Sequence, residues 1–206
     1  MHRGAPREDN EGMSAASVST SASARRSVPR VYLAGPDVFR PDCAQVFAQL
    51  ETACARLGLV AVPPSDGNLP ADFQGDDDAR AQRIYADNIA LIRGCHGVIA
   101  NLAPFRGLEP DSGTVFEVGF AVALGLPVVA YGIPAGSYAE RVGAQVACRT
   151  DAAGVLREAA SGLMVEGLGQ RANLMLTRSV AALAGDGPAA LELLAPLLLP
   201  PGECVD

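Results

Sequence analysis

The sequence has no lysine and no long hydrophobic run, and each absence excludes a class of protein. All 16 basic residues of the 206-residue chain are arginines, which excludes Schiff-base chemistry on a lysine and a phosphate-binding loop that needs one. No apolar run approaches the ~20 residues of a membrane-spanning helix, and the N-terminus lacks the hydrophobic stretch of a signal peptide. The formal net charge of −7 argues against binding a nucleic-acid polymer, because phosphate contacts need a basic face. We therefore expect neither a membrane nor a nucleic-acid polymer as partner.

Histidine is also scarce, and the cysteines form no cluster. His96 is the one imidazole outside the N-terminal stretch, and no two cysteines have metal-ligand spacing. We therefore expect no metal or other cofactor and no Ser-His-Asp triad. The cysteines are odd in number, scattered and mostly in apolar surroundings, which is typical of free thiols in a reducing compartment and indicates a cytoplasmic protein. They are Cys43, Cys54, Cys95, Cys148 and Cys204.

Residues 1–29 differ in composition from the rest of the chain. They are rich in serine, alanine and arginine and show no apolar periodicity, so we interpret them as a disordered N-terminal extension. The remaining residues, 30–206, suffice for one domain of ordinary size.

Short apolar segments alternate with segments of helical periodicity over this domain. The pattern predicts strands at residues 31–34, 59–62, 98–102 and 127–131, with a fifth near 145–148. It predicts a polar loop at 65–78 and helices at 41–57, 79–93, 112–124, 174–184 and 189–198. Nearly continuous apolar strands between helices indicate a parallel sheet that is covered on both faces. The sequence thus predicts an α/β fold: a flavodoxin-like, doubly wound, five-stranded parallel sheet in three α/β/α layers.

The expected position of a ligand follows from this fold. Ligands of doubly wound sheets bind beyond the carboxyl ends of the strands, where the strand order reverses. For the order 2-1-3-4-5, that crevice lies between the first and third strands. The loops that follow these strands, residues 35–39 and 101–111, are therefore expected to carry functional side chains.

Glu117 is the residue that most needs an explanation. It is the one charged residue between Asp111 and the end of its predicted helix, and burying an unpaired carboxylate costs several kcal/mol. Two interpretations stay open. Thr114 and Glu117 have the spacing of a capping box, in which the glutamate closes back on the helix N-terminus. Alternatively, Glu117 is a nucleophile. A position in the first helical turn would favour its ionised form, because the positive end of the helix dipole lies there.

Asp111 and Tyr32 are the candidate partners of Glu117. Asp111 is either an N-cap or surface acid, or an acceptor of hydrogen bonds from sugar hydroxyls. Two carboxylates at one crevice are the usual arrangement for glycoside cleavage through an oxocarbenium-like transition state. Tyr32 lies in the first strand, where a buried hydroxyl needs a partner, and the Glu117 carboxylate is a candidate. Gly113 would let a ligand approach the backbone closely.

Four short segments follow one another along the chain: YLAGPDVF at 32–39, ANL and PFRG within 100–107, DSGT and FEVG within 111–119, and NLML at 173–176. Together they resemble the nucleoside 2-deoxyribosyltransferase family over roughly residues 30–176. The resemblance implies a flavodoxin-like fold and exchange of the base of 2′-deoxynucleosides through a covalent deoxyribosyl-enzyme. The partners that it implies are nucleosides and free nucleobases.

The resemblance also implies a role for each matching residue. Glu117 attacks the anomeric carbon, Tyr32 orients and polarises Glu117, and Asp111 holds a sugar hydroxyl. Asn173 reaches the sugar from a neighbouring subunit, so the protein would form a homodimer or a higher homo-oligomer with shared active sites.

Two positions depart from the family. Lactobacillus-type members carry on the second helix an aspartate that protonates the departing base, whereas this sequence has Asn88, an amide that supplies no proton at neutral pH. Asp87 or water would then act as the acid, or the base would leave with hydrogen-bond assistance alone. His96 stands where relatives usually have aspartate, and we expect it to be structural because it lies at the wrong end of its strand.

Further residues complete the expected binding site. Phe39, in the loop after the first strand, could stack on the base, and Gly35 begins the same loop. Arg106 is a candidate partner for a phosphate. Asp37 and Asp66 are weaker candidates for contacts with the polar edge of the base.

The sequence therefore predicts an enzyme that transfers the 2-deoxyribosyl group between nucleobases, with cleavage of the N-glycosidic bond through a covalent intermediate on Glu117. Two alternatives stay open. One is a hydrolase of nucleosides or deoxynucleoside 5′-monophosphates on the same scaffold, which Arg106, Ser112 and Gly113 support modestly. The other is a non-catalytic nucleotide-sensing module.

Overall fold

The computed structural model describes residues 27–65 and 73–199. The predicted N-terminal extension, apart from its last three residues, lies outside the described residues. The same holds for Asp66 and for half of the predicted loop at 65–78, namely residues 66–72.

Strands and helices alternate along the described chain. The strands are β1 (Arg30–Ala34), β2 (Val60–Val62), β3 (Gly97–Asn101), β4 (Val128–Tyr131), β5 (Cys148–Thr150), β6 (Leu156–Glu158) and β7 (Ala182–Ala184). The helices are α1 (Cys43–Arg56), α2 (Asp77–Arg93), α3 (Ser112–Ala123), α4 (Tyr138–Gln145), α5 (Leu174–Ser179) and α6 (Gly187–Leu198), and a 3-10 turn (Pro36–Phe39) follows β1. The predicted bounds of the first four strands, the first three helices and the last helix are confirmed to within two residues.

Five strands form a parallel sheet in the order β2-β1-β3-β4-β7. At its centre, Tyr32 of β1 lies between Val62 of β2 and Val98 of β3. The order reverses between β1 and β3, as the order 2-1-3-4-5 requires. The predicted flavodoxin-like α/β fold is therefore confirmed.

Side chains alternate between the two faces of the sheet, because successive residues of a strand point in opposite directions. One face, which includes Tyr32 and Val98, packs against α2, α3 and α5. The opposite face, which includes Val31 and Ile99, packs against α1 and α6. The three predicted layers follow from this division. Within the described residues, no helix combines the length and the apolar character of a membrane span.

The fifth strand of the sheet differs from the prediction. Residues 182–184 form β7 beside β4, although the sequence predicts a helix over 174–184, and α5 ends at Ser179. The alanine-rich segment has a high helix propensity, and pairing with the exposed edge of β4 overrides it. The strand expected near 145–148 instead corresponds to β5, which pairs with β6 in a separate antiparallel sheet.

Helix α4 is absent from the sequence-based prediction, yet its sequence contains a start signal. Ser137 and Glu140 form a capping box, in which the Ser137 side chain accepts from the Glu140 backbone and the Glu140 side chain accepts from the Ser137 backbone. A search for this spacing would have found the helix.

Candidate active site

A cleft of about 360 Å³ opens beyond the carboxyl ends of β1 and β3, at the position that the fold predicts for a ligand. Six of the nine predicted site residues line it: Gly35, Phe39, Asn88, Asp111, Gly113 and Glu117. Of the other three, Tyr32 lies in the core and contacts Glu117. Arg106 and Asn173 are not among the lining residues.

Tyr32 and Glu117 form the contact that the sequence predicts. The Tyr32 hydroxyl donates a hydrogen bond to Glu117 Oε1 at 2.6 Å. Tyr32 is fully buried on the face of β1 that packs against α3, and Glu117 is half-buried at the cleft. Because one carboxylate oxygen accepts this bond, the orientation of the other oxygen is fixed as well.

Glu117 does not cap α3. The N-cap is Asp111, whose Oδ2 accepts hydrogen bonds from the Thr114 backbone at 2.9 Å and from the Thr114 hydroxyl at 3.0 Å. The helix begins at Ser112, so Thr114 is its third residue and Glu117 belongs to the second turn. The capping-box interpretation is therefore wrong, because its spacing is present but is displaced from the start of the helix.

The environment of Glu117 favours the protonated carboxyl more than the sequence suggests. Burial raises the pKa of Glu117 to about 7; the hydrogen bond from Tyr32 lowers this pKa, and the negative charge of Asp111 raises it. A position in the first turn would favour the ionised form through the helix dipole, but Glu117 lies in the second turn, where this effect falls off. Burial also raises the pKa of Tyr32, and the charge of Glu117 adds to this rise, so Tyr32 stays a donor.

Asp111 can cap the helix and still face a ligand. Both of its hydrogen bonds go to Oδ2, and Oδ1 makes none within the described residues. Asp111 also lines the cleft. The two roles that the sequence leaves open for this residue are therefore compatible, one for each oxygen.

Asn88 faces the cleft, whereas its neighbour Asp87 does not. The Asn88 Oδ1 accepts a hydrogen bond from the Ser65 backbone at 2.7 Å, which leaves the amide nitrogen as a donor for a ligand. Asp87 points ~100° away from Asn88 around the helix, pairs with Arg83 at 2.8 Å and is not among the residues that line the cleft. The suggestion that Asp87 protonates a departing base is therefore wrong on geometric grounds.

Phe39 forms part of an aromatic wall at the mouth of the cleft. Its ring is 61% exposed and stacks on Phe105, with the ring centroids 5.4 Å apart. The Arg106 guanidinium lies over both rings, 4.7 Å from the Phe105 centroid and 5.9 Å from that of Phe39. Exposure leaves Phe39 accessible to a flat ligand such as a base. Arg106 is exposed at the rim, and its role as a phosphate partner stays a prediction.

Two glycines keep the cleft open. A Cβ atom at Gly35 would lie 2.8 Å from Asn101 Cβ, so any larger residue would push the loop after β1 away from β3. A Cβ atom at Gly113 would lie 3.0 Å from Asp111 Oδ2, which would crowd the oxygen that caps α3. Gly35 is therefore required for steric reasons, whereas a larger residue at position 113 would fit only if the Asp111 carboxylate moved by a few tenths of an ångström.

Asp37 does not face the cleft. It is 6% exposed and lies on the opposite side of the sheet, where it lines a small hollow together with Tyr131. The Asn101 amide donates a hydrogen bond to Asp37 Oδ2 at 2.9 Å. The suggestion that Asp37 reads the edge of a base is therefore wrong, and Asp66, the other candidate for this role, lies outside the described residues.

Asn173 lies in a separate groove of about 870 Å³. It is the N-cap of α5: its Oδ1 accepts from the Met175 backbone at 2.9 Å, and its amide donates to Glu166 at 3.3 Å. Within one chain, Asn173 therefore does not meet Glu117. A contact with the sugar would have to come from a neighbouring subunit, which stays a prediction.

Five residues that line the cleft are missing from the predicted site, namely Val38, Pro64, Ser65, Ile84 and Thr114, and one expectation about a histidine is confirmed. Ser65 and Ile84 line the cleft, but a serine before a polar loop and an isoleucine on a helix carry no distinctive signal. His96 is structural: its Nδ1 accepts a hydrogen bond from the Arg30 backbone at 3.1 Å, at the end of the sheet away from the cleft.

Known proteins are similar to this chain in sequence and in fold. The sequence profile of the nucleoside 2-deoxyribosyltransferase family matches residues 31–175. A 2-desoxiribosyltransferase from Leishmania mexicana is 30% identical, with a TM-score of 0.63 over 82% of this chain and 98% of that chain. A conserved protein from Enterococcus faecalis is 17% identical, with a TM-score of 0.52 over 84% of this chain and 100% of that chain, and shows the same fold.

A curated relative matches over a shorter region. An uncharacterized protein from Schizosaccharomyces pombe is 33% identical over 128 residues, which are 62% of this chain and 61% of that protein. The family profile covers the segments that carry Tyr32, Asp111, Glu117 and Asn173. This chain belongs to the nucleoside 2-deoxyribosyltransferase family.

Proposed function

We propose that this protein transfers the 2-deoxyribosyl group from one nucleobase to another through a covalent ester on Glu117. The observation that carries the proposal is the Tyr32–Glu117 hydrogen bond of 2.6 Å at a cleft that Asp111 also lines. This arrangement fixes the Glu117 carboxylate at the cleft, and Asp111 beside it offers an acceptor that would suit a sugar hydroxyl. Membership of the family supports the same reaction.

The proposed reaction has two displacement steps at C1′ of a 2′-deoxynucleoside. In the first, ionised Glu117 attacks C1′, a C–O bond forms, and the N-glycosidic bond breaks with its electron pair going to the base nitrogen. The departing base anion then takes a proton from water. In the second, a ring nitrogen of another base attacks C1′, the ester breaks to return the carboxylate, and the ring N–H proton of the incoming base passes to water. Asp111 accepts a hydrogen bond from a sugar hydroxyl, and Asn88 donates to the departing base. If water attacks in the second step instead, the product is free deoxyribose.

The charge of the cleft favours a neutral nucleoside over a nucleotide. Asp111 and Glu117 both line the cleft, and none of the described lining residues is basic. A 5′-phosphate would meet two acidic groups in a partly buried space, where like charges repel strongly. Arg106 could offset this only from the rim, where it lies over Phe39 and Phe105.

A base-exchange assay tests the proposed function. A deoxynucleoside is incubated with and without a second free base, and the products are separated by chromatography. Transfer gives a new nucleoside only when the second base is present, whereas a hydrolase gives free deoxyribose at the same rate in both reactions. A non-catalytic sensor releases no base, and mass spectrometry detects no covalent adduct on the protein.

The pH dependence of the reaction should reflect the protonation of Glu117. The pKa of Glu117 is raised to about 7, and only the ionised form attacks, so kcat/KM should rise with pH up to about 7 and level off above it. Tyr32→Phe removes the hydrogen bond that lowers this pKa. We therefore expect the acid limb of the kcat/KM profile of that variant to shift to higher pH by about one to two pH units. A profile of kcat/KM from pH 5 to pH 9 measures both effects, and an unchanged limb in Tyr32→Phe would contradict the role of Tyr32.

A mixing experiment tests whether Asn173 serves the site of a neighbouring subunit. Glu117→Ala and Asn173→Ala chains each lack one part of every site, but a mixed oligomer restores both parts in one place. After subunit exchange at equal amounts, we expect roughly a quarter of the wild-type activity for a dimer with shared sites. Exposed Met164 and Met175 near Asn173 support such an interface, because exposed apolar side chains that lie together favour association. Mixed oligomers that form without regaining activity would contradict the proposal.

A further inference from the structure

We propose that Asp37 is a positioning residue, which holds Phe39 at the wall of the cleft through its hydrogen bond to Asn101. The part of this inference that concerns substrate rests on the proposed function. The mechanical part, in which Asp37 fixes the position of the Phe39 ring, is independent of it.

Asp37 and Asn101 join the two loops that form the cleft, on the side of the sheet away from it. Asp37 lies in the 3-10 turn after β1, two residues before Phe39, and Asn101 is the last residue of β3. The Asn101 Nδ2 donates to Asp37 Oδ2 at 2.9 Å. Asp37 is 6% exposed and Asn101 is half-buried, so the bond is largely shielded from solvent. It therefore fixes the turn at the point where the strand order reverses.

Asn101 is held firmly enough to act as an anchor. Its Oδ1 accepts a hydrogen bond from the Ala103 backbone at 3.1 Å, while its Nδ2 binds Asp37. Its Cβ atom lies close beneath Gly35, where a methyl group would come within 2.8 Å. On another side, a Cβ atom at Gly132 would lie 2.7 Å from Asn101 Oδ1. With both polar ends of the amide bound and its surroundings packed, the side chain has no other rotamer that preserves these contacts.

The same two loops also touch on the cleft side, through Phe39 and Phe105. The turn is thus fixed from both sides: by a buried hydrogen bond beneath the sheet and by an exposed aromatic contact above it. The aromatic contact alone holds the turn weakly, because Phe39 is 61% exposed and the contact therefore buries little apolar surface. Without the buried bond, the turn and its Phe39 ring would be free to shift.

Packing alone does not explain a carboxyl group at this position. Burying a polar group is costly unless it forms hydrogen bonds, and the neighbours Val46 and Leu50 of α1 would pack well against an apolar side chain. A small hollow of about 140 Å³ lies against Asp37, so a larger residue would also fit. The specific gain from Asp37 is the directional bond to Asn101.

A tryptophan reporter tests the mechanical part without any assay of activity. The chain has no tryptophan, so Phe39→Trp introduces a single fluorophore at the cleft wall. In this background, Asp37→Ala should lower the fluorescence anisotropy and raise the acrylamide quenching constant by about 2-fold, because the ring loses its fixed position. Asp37→Asn keeps an oxygen that accepts from Asn101 and should leave both quantities unchanged. Asp42→Ala is the matched control, since Asp42 is an exposed acid after the same turn and pairs with Arg40.

A double-mutant cycle tests whether the position of Phe39 affects substrate binding. Asp37→Ala should raise KM for a deoxynucleoside by about 10-fold, with a smaller change in kcat, because a displaced wall misplaces the base. In a Phe39→Ala background, the same substitution should change KM by less than about 2-fold, since the residue through which it acts is gone. Thermal unfolding of every variant shows whether it remains folded.

The outcomes separate this inference from the proposed function. Unchanged anisotropy and quenching in Asp37→Ala overturn the inference, whatever the enzyme catalyses. An equal rise in KM with and without Phe39 also overturns it, because Asp37 would then act by another route. If the wild-type protein neither exchanges nor releases a base, the proposed function fails. The fluorescence result still decides whether Asp37 positions Phe39.

Discussion

Glu117→Ala is expected to lower base exchange by at least about 10⁴-fold, because loss of a nucleophile removes the covalent route altogether. Glu117→Gln should lower the rate of base exchange by the same factor, although its side chain keeps an oxygen that accepts the hydrogen bond from Tyr32. The second variant preserves the contact beneath the cleft, so a loss there cannot come from collapse of the site. Initial rates of new-nucleoside formation measure both variants.

Mass spectrometry adds a direct measurement to this prediction. Wild-type protein that is mixed with a deoxynucleoside and quenched rapidly should carry a deoxyribosyl adduct on the peptide that contains Glu117. Both Glu117 variants should carry none. Glu51→Ala is the matched control, because Glu51 is an exposed glutamate on α1, and it should retain the adduct and the rate. An adduct on another residue would show that Glu117 is not the nucleophile.

Asp111→Asn should lower kcat/KM by roughly 10- to 100-fold, since a hydrogen bond to a charged acceptor contributes about 1.5–3 kcal/mol. Asparagine is a good N-cap and can still accept from the Thr114 backbone. The unfolding free energy should therefore stay close to that of the wild type. Steady-state kinetics and chemical denaturation measure the two quantities.

Asp111→Ala separates the two roles of this residue further. This variant should lower kcat/KM by the same factor as Asp111→Asn. It should also lower the free energy of unfolding by about 1 kcal/mol, because α3 then lacks its N-cap. Both variants also remove a negative charge that raises the pKa of Glu117, so their acid limbs should move to lower pH. An Asp111→Asn enzyme with wild-type kcat/KM would mean that Asp111 serves only as a helix cap.

The central part of the fold could be predicted from sequence because each element there has a clear local signal. Buried parallel strands such as β3 appear as continuous apolar runs, and Gly125 or a proline ends the neighbouring element. The switch point of the sheet then indicates which loops form the cleft, and most of the predicted residues meet there. Tyr32 and Glu117, far apart in sequence, form the contact that the burial argument requires.

The features of the fold and of the site that the sequence does not predict depend on tertiary contacts, which no local sequence pattern encodes. Residues 182–184 form a strand only because β4 offers an unpaired edge. Asp37 precedes the aromatic residue of the cleft, yet the 3-10 turn directs its side chain to the other side of the sheet. The protonation of Glu117 depends on how deeply α3 and β1 bury it, a property that position along a helix does not determine.

The two outermost strands of the sheet limit how copies of this chain can associate. Both β2 and β7 have three residues, so each exposes only a short row of unpaired backbone groups. Strand addition between copies would form few hydrogen bonds, and short edges of this kind protect sheets from open-ended aggregation. We therefore expect any assembly that shares active sites to form through side-chain surfaces rather than through strand addition.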